Sequence, residues 1–187
     1  MNKLEKYFLE LLPGIDITPM VDAFSVQKHL KKGDQLVAPG QRASFLAFIH
    51  KGAFRVYYYD GKGNEVTTWF SFEGMFIADL PAYYNEEAAN QHIEAIEESE
   101  LYVVQKEQLE KLYQKHPAFQ TFGRRFAERG MVKVMDRMRS LQTKPAEQRY
   151  LELLAQPQFM QKIPLKYLAS YLGITDTSLS RIRKQIL

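Results

Sequence analysis

Short apolar runs and alternation of apolar with polar residues dominate the chain from about residue 26 to residue 105, and glycines interrupt them. A period of two is typical of β-strands, and glycine supplies the positive φ angles of tight turns. The pattern predicts strands at residues 45–50, 53–59, 65–72, 92–97 and 101–105. Residues 60–64 contain two glycines and predict a hairpin. Many short strands with frequent turns favour a small closed or double-sheet β structure over a βαβ fold.

After residue 107 the apolar spacing changes to steps of three and four, which predicts one long helix over about residues 118–141. Its apolar face carries Phe119, Phe122, Phe126, Met131, Val134, Met138 and Leu141. Its other face carries Arg124, Arg125, Arg129, Lys133, Arg137 and Arg139. A helix of about 24 residues is roughly 36 Å long and outreaches a small domain. We therefore predict a parallel helix pair across a two-fold axis, with packing inside its own domain as the alternative.

The last segment, residues 163–187, has the pattern of two short helices joined by a tight turn, after a break at residues 156–158. The inward face of the first helix is predicted to carry Leu165, Leu168, Ala169 and Leu172. Gly173 follows where a positive φ turns the chain, and Ile174 fills the turn. Thr175 is placed as the N-cap of the second helix, which buries Leu179 and Ile182.

The opposite face of the second helix carries only cationic or hydrogen-bonding side chains: Thr177, Ser178, Ser180, Arg181, Arg183 and Lys184. Such a face suits a helix in the major groove of DNA, and a hairpin whose polar face meets water is the alternative. We predict that Arg181 contacts guanine in a bidentate manner and that Thr177 and Ser178 contact bases or phosphates. Asp176 is predicted to accept a hydrogen bond from a cytosine amino group. The predicted phosphate contacts are Lys166, Arg183 and Lys184, and Thr175 and Ser180 complete the DNA-binding set.

Charge is divided unevenly along the chain, although the formal net charge of the 187 residues is only +3. Residues 1–115 contain 12 Lys or Arg and 17 Asp or Glu, a net charge of −5. Residues 116–187 contain 13 and 5, a net charge of +8. A basic segment is expected where a protein approaches a polyanion. Charge alone leaves two candidates open, a nucleic acid and an anionic membrane surface.

Composition excludes several classes of site. The chain has no cysteine, which excludes disulfides, thiolate zinc sites, cysteine-ligated iron–sulfur clusters and cysteine nucleophiles. No apolar run is long enough to cross a membrane, and the N-terminus mixes charged with apolar residues, unlike a secretion signal. We therefore expect a cytoplasmic protein without a membrane partner.

Four stretches carry a family resemblance: KKGDQLVAPGQ (31–41), FIHKGAFRVYYYDGKGNEVTTWF (48–70), IEAIEESEL (93–101) and LASYLGITDTSLSRIRK (168–184). In these stretches, and over nearly its whole length, the chain resembles the CRP/FNR family of transcription regulators. The resemblance implies an α+β fold with an N-terminal β-roll of the cyclic-nucleotide-binding type (a double-stranded β-helix), a long dimerisation helix and a C-terminal helix-turn-helix of winged-helix type. It also implies a homodimer that binds double-stranded DNA, with RNA polymerase as a candidate further partner.

The resemblance divides the chain into a sensor domain at residues 1–115, a dimerisation helix at 116–141 and a DNA-binding domain at 142–187. The sequence ends directly after the second helix of the turn motif, so we expect a short or absent wing. No cofactor is expected. A small-molecule effector in the sensor remains open, and the resemblance implies that it acts by reorienting the two DNA-binding domains.

The nucleotide-binding signature of the family is altered. Family members that bind cyclic AMP carry a Gly-Glu-Leu segment and an arginine that neutralises the phosphate, whereas this chain has Ala78-Asp79-Leu80 and no Lys or Arg between Lys62 and Lys106. A buried phosphate without a cation is strongly penalised, so we expect a different effector or none. The predicted effector pocket consists of Phe76, Ile77, Asp79, Leu80, Tyr83, Asn90 and Gln91, with Tyr84 beside it. The alternative is that the aromatic residues of this set belong to the hydrophobic core of the β-roll and line no pocket.

Two other classes of function remain. A dimeric sensor or interaction module would share the fold without binding DNA. A cupin-like metal enzyme would also show short strands and many glycines. Its ligands would have to come from His29, His50, His92 and His116, which are scattered without a metal-ligand spacing. We therefore predict that the chain is not an enzyme.

Overall fold

Two four-stranded antiparallel sheets form the first half of the chain in the computed structural model, which describes residues 2–186. The strands are β1 (Val26–Leu30), β2 (Gln35–Val37), β3 (Phe45–Lys51), β4 (Ala53–Tyr59), β5 (Glu65–Phe72), β6 (Phe76–Ile77), β7 (His92–Ala95) and β8 (Ser99–Gln105). Sheet A has the order β1-β8-β3-β6, and sheet B has the order β2-β7-β4-β5. The predicted β-roll and its five strands are confirmed. Sequence reasoning did not separate β1, β2 and β6, because two of them have only two or three residues and β1 is mostly exposed.

The space between the sheets is filled by apolar side chains, among them Phe54, Ile93 and Val103. Residues of this core alternate along a strand, as Phe54 and Val56 do on β4, which the pleat of a sheet requires. The same alternation points the neighbouring residues of each strand outwards. Both outer faces of the roll are therefore available to pack against helices.

The helices are α1 (Lys3–Leu11), α2 (Thr18–Ala23), α3 (Leu80–Asn85), α4 (Lys106–Lys115), α5 (Gln120–Thr143), α6 (Ala146–Leu154), α7 (Pro157–Lys162), α8 (Leu165–Leu172) and α9 (Asp176–Ile186). The outer face of sheet A is covered by α1, α2, α4 and the start of α5. Phe8 from α1 and Phe48 from β3 are fully buried in this second core. The two N-terminal helices were not anticipated from the sequence.

The long helix begins later than the sequence predicted. His116 ends α4, and Pro117–Phe119 form a 3-10 turn before α5 starts at Gln120. Phe119 and Phe122 are buried in the core beside sheet A, and Phe126 packs against the same core. Their predicted place on an intersubunit face is therefore corrected, because their own domain covers them.

Helices α6 to α9, here called the reading head, pack against the outer face of sheet B. Phe70 and Phe72 of β5 meet Phe159 of α7, with ring centroids 5.8 and 5.0 Å apart. Leu168 and Ala169 of α8 are buried in the same third core. The β-roll thus lies between a helical layer on sheet A and the reading head on sheet B.

Candidate nucleic-acid interface

The turn between α8 and α9 has the geometry predicted for a helix-turn-helix. Gly173 ends α8 in the left-handed region with a φ of 70°. The amide of Ile174 donates to the carbonyl of Ala169 at 3.1 Å, which satisfies a free carbonyl at the end of α8. The amide of Ser178 donates to Thr175 Oγ1 at 3.2 Å, so Thr175 caps α9 as predicted. Ala169 is fully buried where the two helices meet.

The outer face of α9 is open to solvent. Leu179 is buried on the inner side, and the exposed predicted contacts are Lys166, Thr175, Asp176, Thr177, Ser180, Arg181 and Lys184, with Ser178 partly exposed. None of the ion pairs within residues 2–186 involves Arg181, Lys184 or Lys166. The charges of Arg181 and Lys184 are therefore available to an external anion, whereas the charge of Lys166 also acts on Glu65.

Arg183 differs from the prediction. It lies half-buried beside Ile182 and Ile186, and its Nε atom is buried without a hydrogen-bond partner among the described residues. The helical period rotates position 183 towards the inner side of α9, whereas Arg181 and Lys184 point outwards. Arg183 therefore lies at the edge of the exposed face of α9, and its predicted phosphate contact stays a prediction.

A second exposed surface lies on the C-terminal half of α5. Met131, Val134, Met138 and Leu141, here called the α5 stripe, recur at steps of three and four residues. Each is between 41% and 66% exposed. Val132 and Met135 beside them are also exposed. Such a row of apolar side chains on one long helix is typical of a surface that a second helix covers.

A buried arginine lies where the reading head meets sheet B, and sequence reasoning missed it. Arg55 of β4 is 2% exposed and donates to Glu65 at 2.7 Å and to Glu94 at 2.8 Å. Its guanidinium lies between the rings of Tyr57 and Tyr167, 3.8 and 3.6 Å from their centroids. Burial alone lowers the pKa of Arg55, but its hydrogen bonds to the two carboxylates outweigh burial and raise it. The available sequence signal was a single charge inside the apolar run AFRVYYY.

The ion pairs of Arg55 with Glu65 and Glu94 predict that the free energy of unfolding depends on pH in the acidic range. Burial opposes ionisation of Glu65, but hydrogen bonding to Arg55 prevails and holds its pKa below the usual 4.5. A lowered pKa stabilises the fold above the pKa of the unfolded chain and loses this effect as pH falls through the folded value. We expect the free energy of unfolding to fall below about pH 4.5. In urea titrations, Glu65→Gln should be about 1–2 kcal/mol less stable at pH 7 and fall less steeply in acid. If the unfolding free energies of the original protein and of Glu65→Gln change with pH in parallel, ionised Glu65 does not contribute to stability in this way.

The predicted effector residues do not form one pocket. Phe76 belongs to the core beside sheet A, and Ile77 belongs to the interior of the roll. Asp79 is buried and caps α3 by accepting from the amide of Ala82 at 3.1 Å. Asn90 is exposed and Gln91 partly exposed on the segment before β7. This prediction is corrected, because alternation along the chain sends neighbouring residues to different cores.

Leu80 and Tyr83 do share a cavity of about 330 Å³ between α3, α4 and the first turns of α5. Tyr84 and Tyr113 also line it. Burial raises the pKa of Tyr83 to about 12 and also raises that of Tyr113, so both phenols are neutral at physiological pH. A Cβ atom on Gly123 would lie 3.0 Å from the Tyr113 hydroxyl, so α4 and α5 approach closely here.

The altered nucleotide signature lies where β6 ends and α3 begins. One carboxylate oxygen of Asp79 is buried there without a hydrogen-bond partner among the described residues. Arg42 pairs through its backbone with Ala88, but its side chain is exposed and its charge acts on Glu86. The interior of the roll is filled by Ile77, Ala82 and other apolar side chains.

The histidines are dispersed. His50 packs on Tyr102, His92 stacks on Tyr57 and His116 contacts Phe119. In the part of the chain that the structure describes, no group of three or more His, Asp or Glu residues is arranged to hold a metal ion. Over residues 2–186, no helix combines the length and the apolar character needed to span a membrane.

Comparison with known proteins agrees with this architecture. Residues 27–116 match the family model of the cyclic nucleotide-binding domain, which is a ligand-binding domain and agrees with the prediction that the chain is not an enzyme. No curated protein matches the sequence. A putative CRP/FNR-family regulator from Eubacterium rectale superposes with a TM-score of 0.73 at 16% identity, covering 96% of this chain and 87% of that one.

Two further solved structures are similar. FixK2 from Bradyrhizobium japonicum has a TM-score of 0.72 and 18% identity, over 86% of this chain and 83% of its own. The c-di-GMP-responsive global regulator CLP from Xanthomonas campestris has a TM-score of 0.71 and 13% identity, over 91% of each chain. At these identities the similarity establishes the fold, which is the fold that the sequence resemblance implied.

Proposed function

We propose that the protein is a sequence-specific DNA-binding transcription regulator, because residues 27–116 match the family model of the cyclic nucleotide-binding domain within a chain that has the fold of the CRP/FNR regulators. We propose that it acts as a homodimer on a near-palindromic operator. The observation that carries the proposal is the solvent-exposed face of α9, where Arg181 and Lys184 project opposite the buried Leu179 without intramolecular ion pairs among the described residues.

We propose that three consecutive regions of the chain have separate functions. The β-roll and α4 form a sensor over residues 1–115, the region predicted as a dimerisation helix lies at 116–141, and the DNA-binding region lies at 142–187. The α5 stripe supports the dimer, because burying it against a second copy removes its apolar side chains from water. Two reading heads related by a two-fold axis would meet half-sites about 34 Å apart.

The sensor is proposed to respond to something other than a cyclic nucleotide in the family's usual pose. The absence of Lys or Arg between Lys62 and Lys106 supports this part of the proposal, because a buried phosphate needs a cationic partner. Screening ligands by the shift they cause in the unfolding temperature would test it, with cyclic AMP included as the reference compound. Stabilisation by micromolar cyclic AMP would overturn it.

Selection of bound fragments from a random DNA pool is the direct test of the function. We expect the selected sequences to converge on an inverted repeat. Affinity for that site should fall steeply with salt, with a log–log slope near −0.9 for each phosphate neutralised. A pool that does not converge, with no salt-dependent binding, would instead support the interaction module without DNA binding.

Arg181→Ala should cost about 1–3 kcal/mol of affinity for the selected operator and relax specificity at one base pair of each half-site. The reason is that a bidentate guanine contact is lost while the phosphate contacts remain. Binding to a panel of single-base operator variants, measured by fluorescence anisotropy, gives both quantities.

Lys184→Ala serves as the matched control, because it removes one positive charge from the same exposed face of α9. It should weaken binding about equally across the panel and reduce the salt slope by about one. If Arg181→Ala behaves in the same uniform way, Arg181 contacts phosphate and the predicted base contact is wrong.

A further inference from the structure

Strand β5 is an edge strand of sheet B, and one side chain of the reading head hydrogen-bonds to two of its backbone groups. The Ser170 hydroxyl on α8 accepts from the amide of Thr67 at 2.9 Å and donates to the carbonyl of Glu65 at 2.9 Å. Exposed edges are normally covered or paired, because their unpaired amides and carbonyls bind other chains. Here α8 provides the cover, and Ser170 supplies both a donor and an acceptor.

A β-bulge in β5 provides a second attachment point. Val56 pairs with Trp69 and Tyr57 pairs with Thr67, so Thr68 is the extra residue of the bulge. It has no paired residue on β4, although its hydroxyl donates to the carbonyl of Val56 at 3.2 Å. The carbonyl of Thr68 accepts from Arg137 Nε of α5 at 3.1 Å. The bulge therefore turns one carbonyl of the sensor towards the long helix.

Arg137 also holds the reading head. Its Nη2 atom donates to the carbonyl of Tyr171 in the last turn of α8 at 2.8 Å. Its guanidinium lies 3.5 Å from the centroid of the Tyr171 ring. A cation is favourable at this position because the last carbonyls of a helix carry partial negative charge. One side chain thus joins the sensor, the long helix and the reading head.

Arg139, two residues further along the same helix, provides a contrast. It is exposed and pairs only with Asp136 on its own helix among the described residues. Burial lowers the pKa of Arg137, yet an arginine keeps its charge at physiological pH. The sequence placed both arginines in one basic stripe, and only the fold distinguishes them.

The contacts fix the reading head without covering its outer face. Only Lys144 and Pro145 separate α5 from α6, and Arg149 of α6 donates to the carbonyls of Lys144 and Leu172. Arg181 on α9 stays exposed in this arrangement. The docked reading head is therefore oriented relative to α5 and is still free to meet DNA.

We propose that Ser170 and Arg137 are positioning residues, which set the orientation of the reading head on the dimer and hence the half-site spacing that the dimer accepts. This inference rests on the proposed function. A rigid pair of reading heads matches one spacing, because each inserted base pair displaces a half-site by about 3.4 Å and rotates it around the duplex. Loosened reading heads adapt to other spacings and lose preorganisation at the best one.

The experiment compares the full-length protein with Ser170→Ala, Arg137→Gln and Arg139→Gln, the last removing the same charge from an exposed site. The DNA panel is the selected inverted repeat with its centre shortened or lengthened by one or two base pairs, together with a single half-site. Amide hydrogen exchange of Thr67 without DNA reports the docking itself, because its amide donates to Ser170.

We expect the ratio of affinities between the best and the altered spacings to fall at least tenfold in Ser170→Ala and Arg137→Gln, with half-site affinity within twofold of the original protein. Thr67 exchange should accelerate at least tenfold in both. Arg139→Gln should change neither. An unchanged spacing profile, or unchanged Thr67 exchange in both variants, overturns the inference while leaving the DNA-binding function intact. If the original protein binds no DNA, the proposed function is wrong and the inference about half-site spacing falls as well. Thr67 exchange then reports separately whether Ser170 and Arg137 hold the reading head in place.

Discussion

The double substitution Val134→Glu and Met138→Glu should convert the proposed dimer to a monomer and lower its affinity for the palindromic operator by about 10²–10⁴-fold. Both side chains lie in the α5 stripe and are more than half exposed in the isolated chain. In a parallel helix pair they would face the same residues of the second copy, and charges of one sign would be buried without partners. The loss of affinity follows because two linked reading heads bind far more tightly than one.

Lys133→Glu is the matched control for this pair. It changes the net charge by the same amount, and Lys133 lies on the same helix outside the stripe. We expect the control to remain dimeric, with at most a modest change in DNA affinity. Mass measured by light scattering and operator binding measured in the same buffer give the two readouts. If the double variant stays dimeric, the copies associate through another surface and the stripe assignment is wrong.

Gly52→Ala should destabilise the protein by about 4 kcal/mol, among the largest effects that a single methyl group can have in this fold. Gly52 joins β3 to β4 with a φ of 105°, a region that side-chain-bearing residues rarely adopt. A Cβ atom there would lie 2.1 Å from Ser99 Oγ and 2.8 Å from Ser99 Cα. Ser99 is fully buried at the start of β8, so the backbone would have to move.

Gly61→Ala tests whether this effect is specific to the close approach. Gly61 lies in the hairpin between β4 and β5 with no positive φ, and nothing lies within 4 Å of its added Cβ. We expect a change within about 0.5 kcal/mol for this control. Urea denaturation followed by the fluorescence of Trp69 compares the two variants. Equal stabilities for both would show that the β3–β4 connection relaxes without cost.

The local elements were predictable because their signals are local. Alternation marked the strands of the roll, and the order of Gly173, Ile174 and Thr175 marked the turn before α9. Each signal depends on backbone conformation within a few residues, and the structure has the five predicted strands and this turn where the pattern indicated. The DNA contacts predicted on α9 remain predictions, because an exposed polar face permits binding and does not prove it.

The sequence by itself determined which faces of the chain are apolar, and only the tertiary structure decided what covers each of them. Phe122 and Met138 share one periodic pattern, yet the first is buried beside sheet A and the second is exposed. Arg137 and Arg139 share one basic stripe, yet only Arg137 reaches β5 and α8. The physical reason is that periodicity is a property of neighbouring residues, whereas these contacts join segments tens of residues apart. Their partners depend on how the sheets and helices pack.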